Sequence, residues 1–145
     1  MLTRFANVVA TCTIVAARPL PAQRAFQSLA GIYSSMHYVE AAGDVIGTEI
    51  IISATSTGYE VTYQTAEGAP GPVYRVRATV SGDSISFQLP PDTLRVMEGL
   101  KQVGTQLQPH PRFRARIRGG YLRGRFDGAP NEEILPRRAR SYWQK

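Results

Sequence analysis

Cysteine is almost missing from this chain of 145 residues. The one cysteine, Cys12, lies near the N-terminus, so the rest of the sequence can form neither a disulfide bond nor a thiol active site. The two histidines, His37 and His110, have no neighbours at the spacing of metal ligands. The sequence therefore indicates a protein without a metal or another cofactor.

Groups suited to acid–base catalysis are equally scarce. His37, Glu40 and Asp44 are close in sequence and, together with a nearby serine, could form such a group. However, His37 follows Tyr33 and Ser35 at intervals of two residues, so the three share one face of a predicted strand, and His37 is an ordinary strand residue in this interpretation. We therefore predict that the protein is not an enzyme.

Long hydrophobic runs are missing as well. The most apolar run, residues 5–17, has 13 residues, which is too short for a transmembrane helix of ~20 residues. It follows Arg4 and precedes Ala22, a small residue suited to cleavage, and this order is typical of an export signal. We predict that residues 1–22 are a signal peptide and that residues 23–145 form a single domain, either periplasmic or secreted. A basic organelle-targeting segment is the alternative interpretation of the N-terminus.

Five short segments between residues 31 and 89 alternate apolar with polar side chains or are rich in β-branched and aromatic residues. Gly43, Gly58 and Gly82 lie in three of the connections between them. Short strands joined by short loops predict an antiparallel meander. The predicted strands are residues 31–40, 44–53, 59–64, 73–80 and 84–89.

The next segment is predicted to be helical. Pro90 and Pro91 end the meander, and Asp92 is a suitable N-cap residue. Apolar residues then recur at every third position, which predicts one short amphipathic helix after the fifth strand. These positions are Leu94, Met97, Leu100 and Val103. Such a helix would either close one end of a barrel or form a mobile lid over a cavity.

Residues 112–126 have the pattern of a β-hairpin. Gly119 and Gly120 supply the two positive-φ residues of a tight turn, and the flanking residues alternate with period two. In the register that this turn sets, one face is apolar and consists of Phe113, Ala115, Ile117, Leu122, Gly124 and Phe126. The other face, which we name the arginine face, consists of Arg112, Arg114, Arg116, Arg118, Tyr121, Arg123 and Arg125.

The arginine face has two interpretations. Like charges directly opposite each other destabilise a strand pair by roughly 0.2–1 kcal/mol, so an acidic group is expected nearby. The side chains could form a solvated outer surface that prevents aggregation. Alternatively, they could bind an anionic surface, an acidic protein or a phosphorylated or carboxylated ligand. Ten basic and three acidic residues follow position 111, so positive charge is concentrated in this last quarter of the chain.

The last predicted strand covers residues 133–142, which brings the total to about eight strands. Sequential hairpins without a helical crossover predict an all-β fold, a small antiparallel up-and-down β-barrel, because closure removes unpaired sheet edges. A two-sheet sandwich is the alternative. In a barrel the last strand pairs with the first, which places residues 137–143 beside residues 32–38.

Both ends of the predicted barrel contain motifs of a known group. Gly31-Ile32-Tyr33, together with an arginine on the closing strand, resembles the calycin group of small barrels, which includes lipocalins, avidins and fatty-acid-binding proteins. Those families tend to have tryptophan where this chain has Tyr33. Arg140-Ser141-Tyr142 is similar to the Arg-x-Tyr pair with which fatty-acid-binding proteins hold a ligand carboxylate. The resemblance implies an apolar cavity for a small lipophilic ligand, with Tyr33, Arg140 and Tyr142 as binding residues.

A structural role for Arg140 is also consistent with the sequence, because its guanidinium group could stack on Tyr33 or Trp143 and close the barrel end. Two functional hypotheses follow. The first is an exported, non-catalytic barrel that binds a small lipophilic or acidic molecule and contacts an anionic surface through the arginine face. The second is an interaction module with a filled core and no small ligand, whose arginine face binds an acidic protein or polymer.

The size of the interior side chains separates these hypotheses, because a ligand needs a space of about 300 Å³ or more. Nucleic acid would also be attracted to the arginine face, but an exported protein has little access to it. The sequence leaves the oligomeric state open.

Overall fold

The fold is described by a computed structural model that covers residues 29–98 and 101–144. The predicted signal peptide lies outside these residues. Within them the chain forms eleven β-strands. In chain order they are β1 (Gly31–Ser34), β2 (His37–Val39), β3 (Asp44–Thr55), β4 (Gly58–Pro70), β5 (Tyr74–Ser81), β6 (Ser84–Gln88), β7 (Asp92–Glu98), β8 (Lys101–Gln108), β9 (Arg112–Arg118), β10 (Tyr121–Phe126) and β11 (Glu133–Arg138).

Eight of these strands close into an antiparallel barrel. Their order around the barrel is β1, β3, β4, β5, β6, β9, β10 and β11, and β11 pairs again with β1. At this seam Tyr33 lies opposite Arg137, and Ile32 lies opposite Arg138. The predicted barrel and the predicted pairing of its first strand with its last are confirmed. After a break at residues 35–36, β2 continues from β1 and pairs with β3.

The predicted helix after the fifth barrel strand was wrong. In its place, β7 and β8 form a separate two-stranded ribbon, which connects β6 to β9 along the chain. Val96 and Val103 are β-branched and favour strands, whereas Gly99 and Gly104 disfavour a helix. These local preferences outweigh the spacing of three between apolar residues.

The barrel interior is filled with large side chains. Phe113 is fully buried, and its ring centroid lies 5.0 Å from those of Phe87 and Phe126. Tyr63 of β4 meets Phe126 of β10 edge-on at 5.7 Å, which is a contact across the barrel. Further buried members of this core are Tyr33, Ile50, Ile52, Val61, Ile85, Leu122 and Leu135. Large side chains therefore meet in the lumen, as the second functional hypothesis requires.

The hairpin of β9 and β10 has the register that its sequence predicts. Gly119 (φ 57°) and Gly120 (φ 80°) form the turn, and Arg118 lies opposite Tyr121. The inward residues Phe113, Ala115 and Leu122 are buried. The side chains of the arginine face point away from the core and are exposed.

Candidate anion-binding site

Four arginines of the arginine face form two adjacent rows on the outside of the barrel. The antiparallel register places Arg116 opposite Arg123 and Arg114 opposite Arg125. The two rows are separated by two residues along each strand, about 6.6–6.8 Å. Four guanidinium groups therefore share one small area of the surface, with like charges opposite each other.

Hydroxyl side chains continue both rows onto the neighbouring strands. Ser84 and Ser86 of β6 are in register with the two arginine pairs. One strand further, Ser81 and Thr79 of β5 extend the same rows. An open groove of about 600 Å³, which we name the arginine groove, lies among these side chains. It is lined by Thr79, Ser81, Ser84, Ile85, Ser86, Arg114, Ala115, Arg116, Arg123, Gly124, Arg125, Asp127 and Glu132.

Two residues of the arginine face have a carboxylate partner. Arg114 donates two hydrogen bonds to Asp127, from Nε to Oδ1 (2.9 Å) and from Nη2 to Oδ2 (3.3 Å). Arg118 donates from Nε to Oδ2 of Asp83 (3.0 Å), and the Ser84 hydroxyl donates to Oδ1 of the same carboxylate (3.2 Å). The hydrogen bond from Arg118 is the main reason why the pKa of Asp83 lies below its usual value. The Asp83 carboxylate is thus held between one guanidinium and one hydroxyl group.

The remaining arginines of this face have no such partner in the described part of the chain. There, no carboxylate oxygen lies within 4 Å of the guanidinium groups of Arg112, Arg116, Arg123 or Arg125. Solvent screens their mutual repulsion, and Arg116 is also attracted by the Asp83 carboxylate, which lies beyond ion-pair distance. These groups are therefore available to an external anion.

The hydroxyl and carboxylate groups of the groove were not predicted. Ser84 and Ser86 could be assigned to an outer strand face from their alternation, but not to the strand beside the arginines. Asp127 had a detectable signal, because extending the hairpin register by one residue pairs it with Arg112. The amide of Asp127 indeed donates to the Arg112 carbonyl oxygen (2.8 Å).

The residues predicted to bind a small ligand lie in two different places. Tyr33 is fully buried in the barrel, where its hydroxyl donates to the Leu29 carbonyl oxygen (3.2 Å). Arg140 and Tyr142 lie beyond the end of β11, because this strand ends at Arg138 and the prediction that it continues to residue 142 was wrong. Together with Met36 they line an open outer cleft of about 650 Å³.

Arg137, and not Arg140, contacts Tyr33 at the seam of the barrel. Its guanidinium carbon lies 6.0 Å from the centroid of the Tyr33 ring, and Nη2 donates to the Ala30 carbonyl oxygen (2.6 Å). This cation–π contact covers the core at that end of the barrel. Arg137 lies two residues after the buried Leu135 in β11 and therefore on the same face of the strand. This spacing was the signal from which its place beside Tyr33 could have been predicted.

A buried carboxylate fastens the C-terminal segment to the outside of the barrel. Glu49 of β3 is 3% exposed and accepts hydrogen bonds from the Ser141 hydroxyl (2.5 Å) and the Tyr142 amide (2.9 Å). The Trp143 ring then packs edge-on against the Tyr142 ring at 5.0 Å. Glu49 therefore has a structural role, and it holds Arg140 and Tyr142 away from the barrel lumen.

Another carboxyl group faces the barrel interior with incomplete hydrogen bonding. Glu133 of β11 lies opposite Gly124 and is hydrogen-bonded to Thr48. Its Oε2 atom is buried and has no hydrogen-bond partner among the residues that the structure describes. Burial raises the pKa of Glu133 above the ordinary 4.5, and the Thr48 hydrogen bond opposes that rise. Folding therefore shifts the equilibrium of the Glu133 carboxyl group towards its protonated form.

Glu133→Gln is expected to stabilise the protein at neutral pH. Because the pKa is raised in the folded state, ionisation of Glu133 favours the unfolded chain, and the wild type loses stability as the pH rises above about 4.5. Glutamine has no charge to desolvate. Urea unfolding should show a more stable variant at pH 7 and a difference that shrinks towards pH 4. A variant less stable than the wild type at pH 7 would contradict this account.

The described residues contain no cluster of three or more histidine, cysteine, aspartate or glutamate side chains that could hold a metal ion. Within the same ranges, no helix has the length and apolar character needed to cross a bilayer. No protein-family model, curated protein or solved structure matches the chain. The chain is a closed eight-stranded antiparallel β-barrel, and its function is inferred from the chemistry of its surface.

Proposed function

We propose that this protein is a non-catalytic binding barrel that holds an anionic polymer in the arginine groove. One observation carries the proposal: four guanidinium and four hydroxyl groups lie in register around a single open groove. Guanidinium groups suit oxyanions because they donate two parallel hydrogen bonds, and the neighbouring hydroxyls add further donors. Arg116 and Arg123, which lack a partner in the described chain, are the residues expected to contribute most.

The lining of the groove favours a polymer over a protein partner. Protein interfaces have a desolvated centre that contains aromatic and aliphatic side chains. The apolar residues of the groove, Ile85, Ala115 and Gly124, are buried in the sheet and offer no such centre. An anionic polymer requires positive charge and hydrogen-bond donors, which the exposed side chains of the groove supply.

The filled core supports this function over lumen binding of a small lipophilic molecule. Tyr63 and Phe126 meet across the barrel, and Phe113 fills the space beside them. A small-ligand site needs a cavity of about 300 Å³ or more. Arg140 and Tyr142 are kept as candidate residues for a small acidic ligand, with the outer cleft as its site.

Export and kinship with the calycin barrels are further parts of the proposal. The apolar run at residues 5–17 supports export to the periplasm or the medium. The contact of Arg137 with Tyr33, which joins the closing strand to the first, supports a calycin-like barrel. Export would bring the arginine groove into contact with anionic polymers of a cell envelope.

Arg116→Ala combined with Arg123→Ala is expected to weaken polymer binding about tenfold or more and to preserve the fold. Both side chains are exposed and face each other, so their removal relieves a repulsion and opens no cavity. The free energy of unfolding should stay within about 1 kcal/mol of the wild type, or rise slightly. Binding is measured by isothermal titration with dextran that carries phosphate monoesters, and stability by urea unfolding.

Arg75→Ala combined with Lys101→Ala is the matched control, because it removes the same charge from exposed positions outside the groove. This variant should keep most of its affinity. The proposed function would be rejected if the wild type bound dextran phosphate no better than plain dextran, or if both double variants lost affinity equally. A loss of several kcal/mol in the unfolding of the first variant would show that its arginines are buried and paired.

A further inference from the structure

We propose that the outer cleft at Arg138 and Arg140 is a second subsite for the same anionic polymer, which runs along β10 and β11 from the arginine groove to the cleft. This inference rests on the proposed function of the groove. Both arginines line the cleft and are exposed. Among the described residues, no carboxylate oxygen lies within 4 Å of either guanidinium group. Like Arg116 and Arg123, they are therefore available to an external anion.

Outward-facing residues of β10 and β11 connect the groove with the cleft. Arg123, which lines the groove, lies opposite Ile134, and Tyr121 lies opposite Pro136. Arg138 is the next outward residue after Pro136, because side chains alternate between the two faces of a strand. None of these residues is acidic. A polyanion that follows the two strands therefore meets no carboxylate at these positions.

The two subsites are too far apart for one small anion. Arg138 lies four residues after Ile134, the residue opposite Arg123. With a rise of ~3.4 Å per residue and ~4.8 Å between strands, the Cα atoms of Arg123 and Arg138 are about 14 Å apart. Nε of Arg138 donates to the Ser34 carbonyl oxygen (3.3 Å) of β1, which flanks β11 on the side away from β10. A single phosphate therefore occupies one subsite, whereas a chain of anions can occupy both.

The segment that carries Arg140 is fixed before any ligand binds. The Glu49 carboxylate accepts hydrogen bonds from the Ser141 hydroxyl and from the Tyr142 amide (2.9 Å). Ser141 is 5% exposed, so this attachment is shielded from solvent. An anion that binds Arg140 therefore need not order the segment, and the associated entropy cost is avoided.

Linked subsites raise the affinity for a chain, because the second contact is made within a complex that has already formed. The groove contains four arginines and the cleft two, so a ligand with one phosphate is expected to bind mainly in the groove. Loss of the cleft should therefore weaken the binding of a long polymer and hardly affect that of a singly charged fragment.

The test compares long dextran phosphate with a disaccharide that carries one phosphate monoester, and both are measured by isothermal titration. Arg138→Ala combined with Arg140→Ala is expected to weaken the binding of the polymer about tenfold and that of the disaccharide less than about twofold. Arg116→Ala combined with Arg123→Ala should weaken the binding of both ligands, because it removes groove residues that either ligand contacts.

Arg75→Ala combined with Lys101→Ala is again the matched control, because it removes the same charge at exposed positions outside the groove and the cleft. This variant should keep most of its affinity for the polymer. A loss as large as that of the Arg138 and Arg140 variant would reject the second subsite, since net charge alone would then explain both losses.

The remaining results separate the second subsite from the function on which it rests. Wild-type protein that binds long dextran phosphate no better than plain dextran would overturn the proposed function. Wild-type polymer affinity in the Arg138 and Arg140 variant would overturn the second subsite alone. So would an equal loss for both ligands, which would make the cleft a separate site for a small acidic molecule. Should this variant fail to fold, Arg140→Ala by itself permits the same comparison and should show a smaller loss, again confined to the polymer.

Discussion

Replacement of Phe113 by alanine is expected to lower the free energy of unfolding by about 3–5 kcal/mol. The side chain is fully buried, stacks on Phe87 and meets Phe126 edge-on. Its removal deletes these contacts and leaves a cavity, because strands that are paired on both sides can collapse only partly around the gap. Urea unfolding followed by circular dichroism measures the loss.

Tyr121→Ala is the matched control, since it removes an aromatic side chain from the outer face of the same hairpin. Tyr121 is 44% exposed, so this change should alter the stability by about 1 kcal/mol or less. If Phe113→Ala had no larger effect than the control, the lumen would be loosely packed. Binding of a small lipophilic molecule inside the barrel would then be the better hypothesis.

Gly124→Ala should destabilise the barrel by about 1–3 kcal/mol or more, although it adds a single methyl group. A Cβ atom at this position would overlap with the Cβ atom of Ala115 directly opposite and would lie 2.5 Å from the Arg114 carbonyl oxygen. The strands must separate to admit it. Because Arg123 and Arg125 flank Gly124, affinity for dextran phosphate should fall together with the midpoint of urea unfolding.

Gly104→Ala provides the control for this substitution. A Cβ atom added to Gly104, on the ribbon, meets no other atom within 4 Å, and its backbone φ is not positive. Stability should therefore hardly change. Ala115→Gly combined with Gly124→Ala should recover part of the loss, since it removes the overlap with the Ala115 Cβ atom and leaves those with the backbone. Wild-type stability in Gly124→Ala would show that β9 and β10 are not held as closely as described.

Local signals were sufficient to predict the hairpin that carries the arginine face. Gly119 and Gly120 specify a tight turn, and the alternation around them determines which side chains share a face. Closure of the barrel followed from a general requirement, namely that sheet edges be paired or covered. The hairpin depends on a short segment of sequence, and closure depends on the number of strands. Both can be predicted from the residues alone.

Long-range pairing was the part that the sequence did not reveal. The arginine groove requires β6 beside β9, but residues 92–108 separate these strands and have the apolar spacing of a helix. Ser84 and Ser86 have no distinctive pattern until that pairing places them beside the arginines. Similarly, β11 ends at Arg138 and the following segment turns outward to Glu49, a contact that no local motif indicates. The predicted roles of Arg140 and Tyr142 depended on a strand that continued further.

The seam between β1 and β11 also governs the order in which the chain can fold. The hydrogen bond from Arg137 to the Ala30 carbonyl oxygen joins residues 107 positions apart. Such contacts form slowly, because closing a long loop costs entropy before the contact stabilises anything. Until the seam forms, β1 and β11 are open edges on which two nascent chains could pair. The positive charge on the adjoining hairpin then acts as a gatekeeper, since partly folded copies repel each other before they can aggregate.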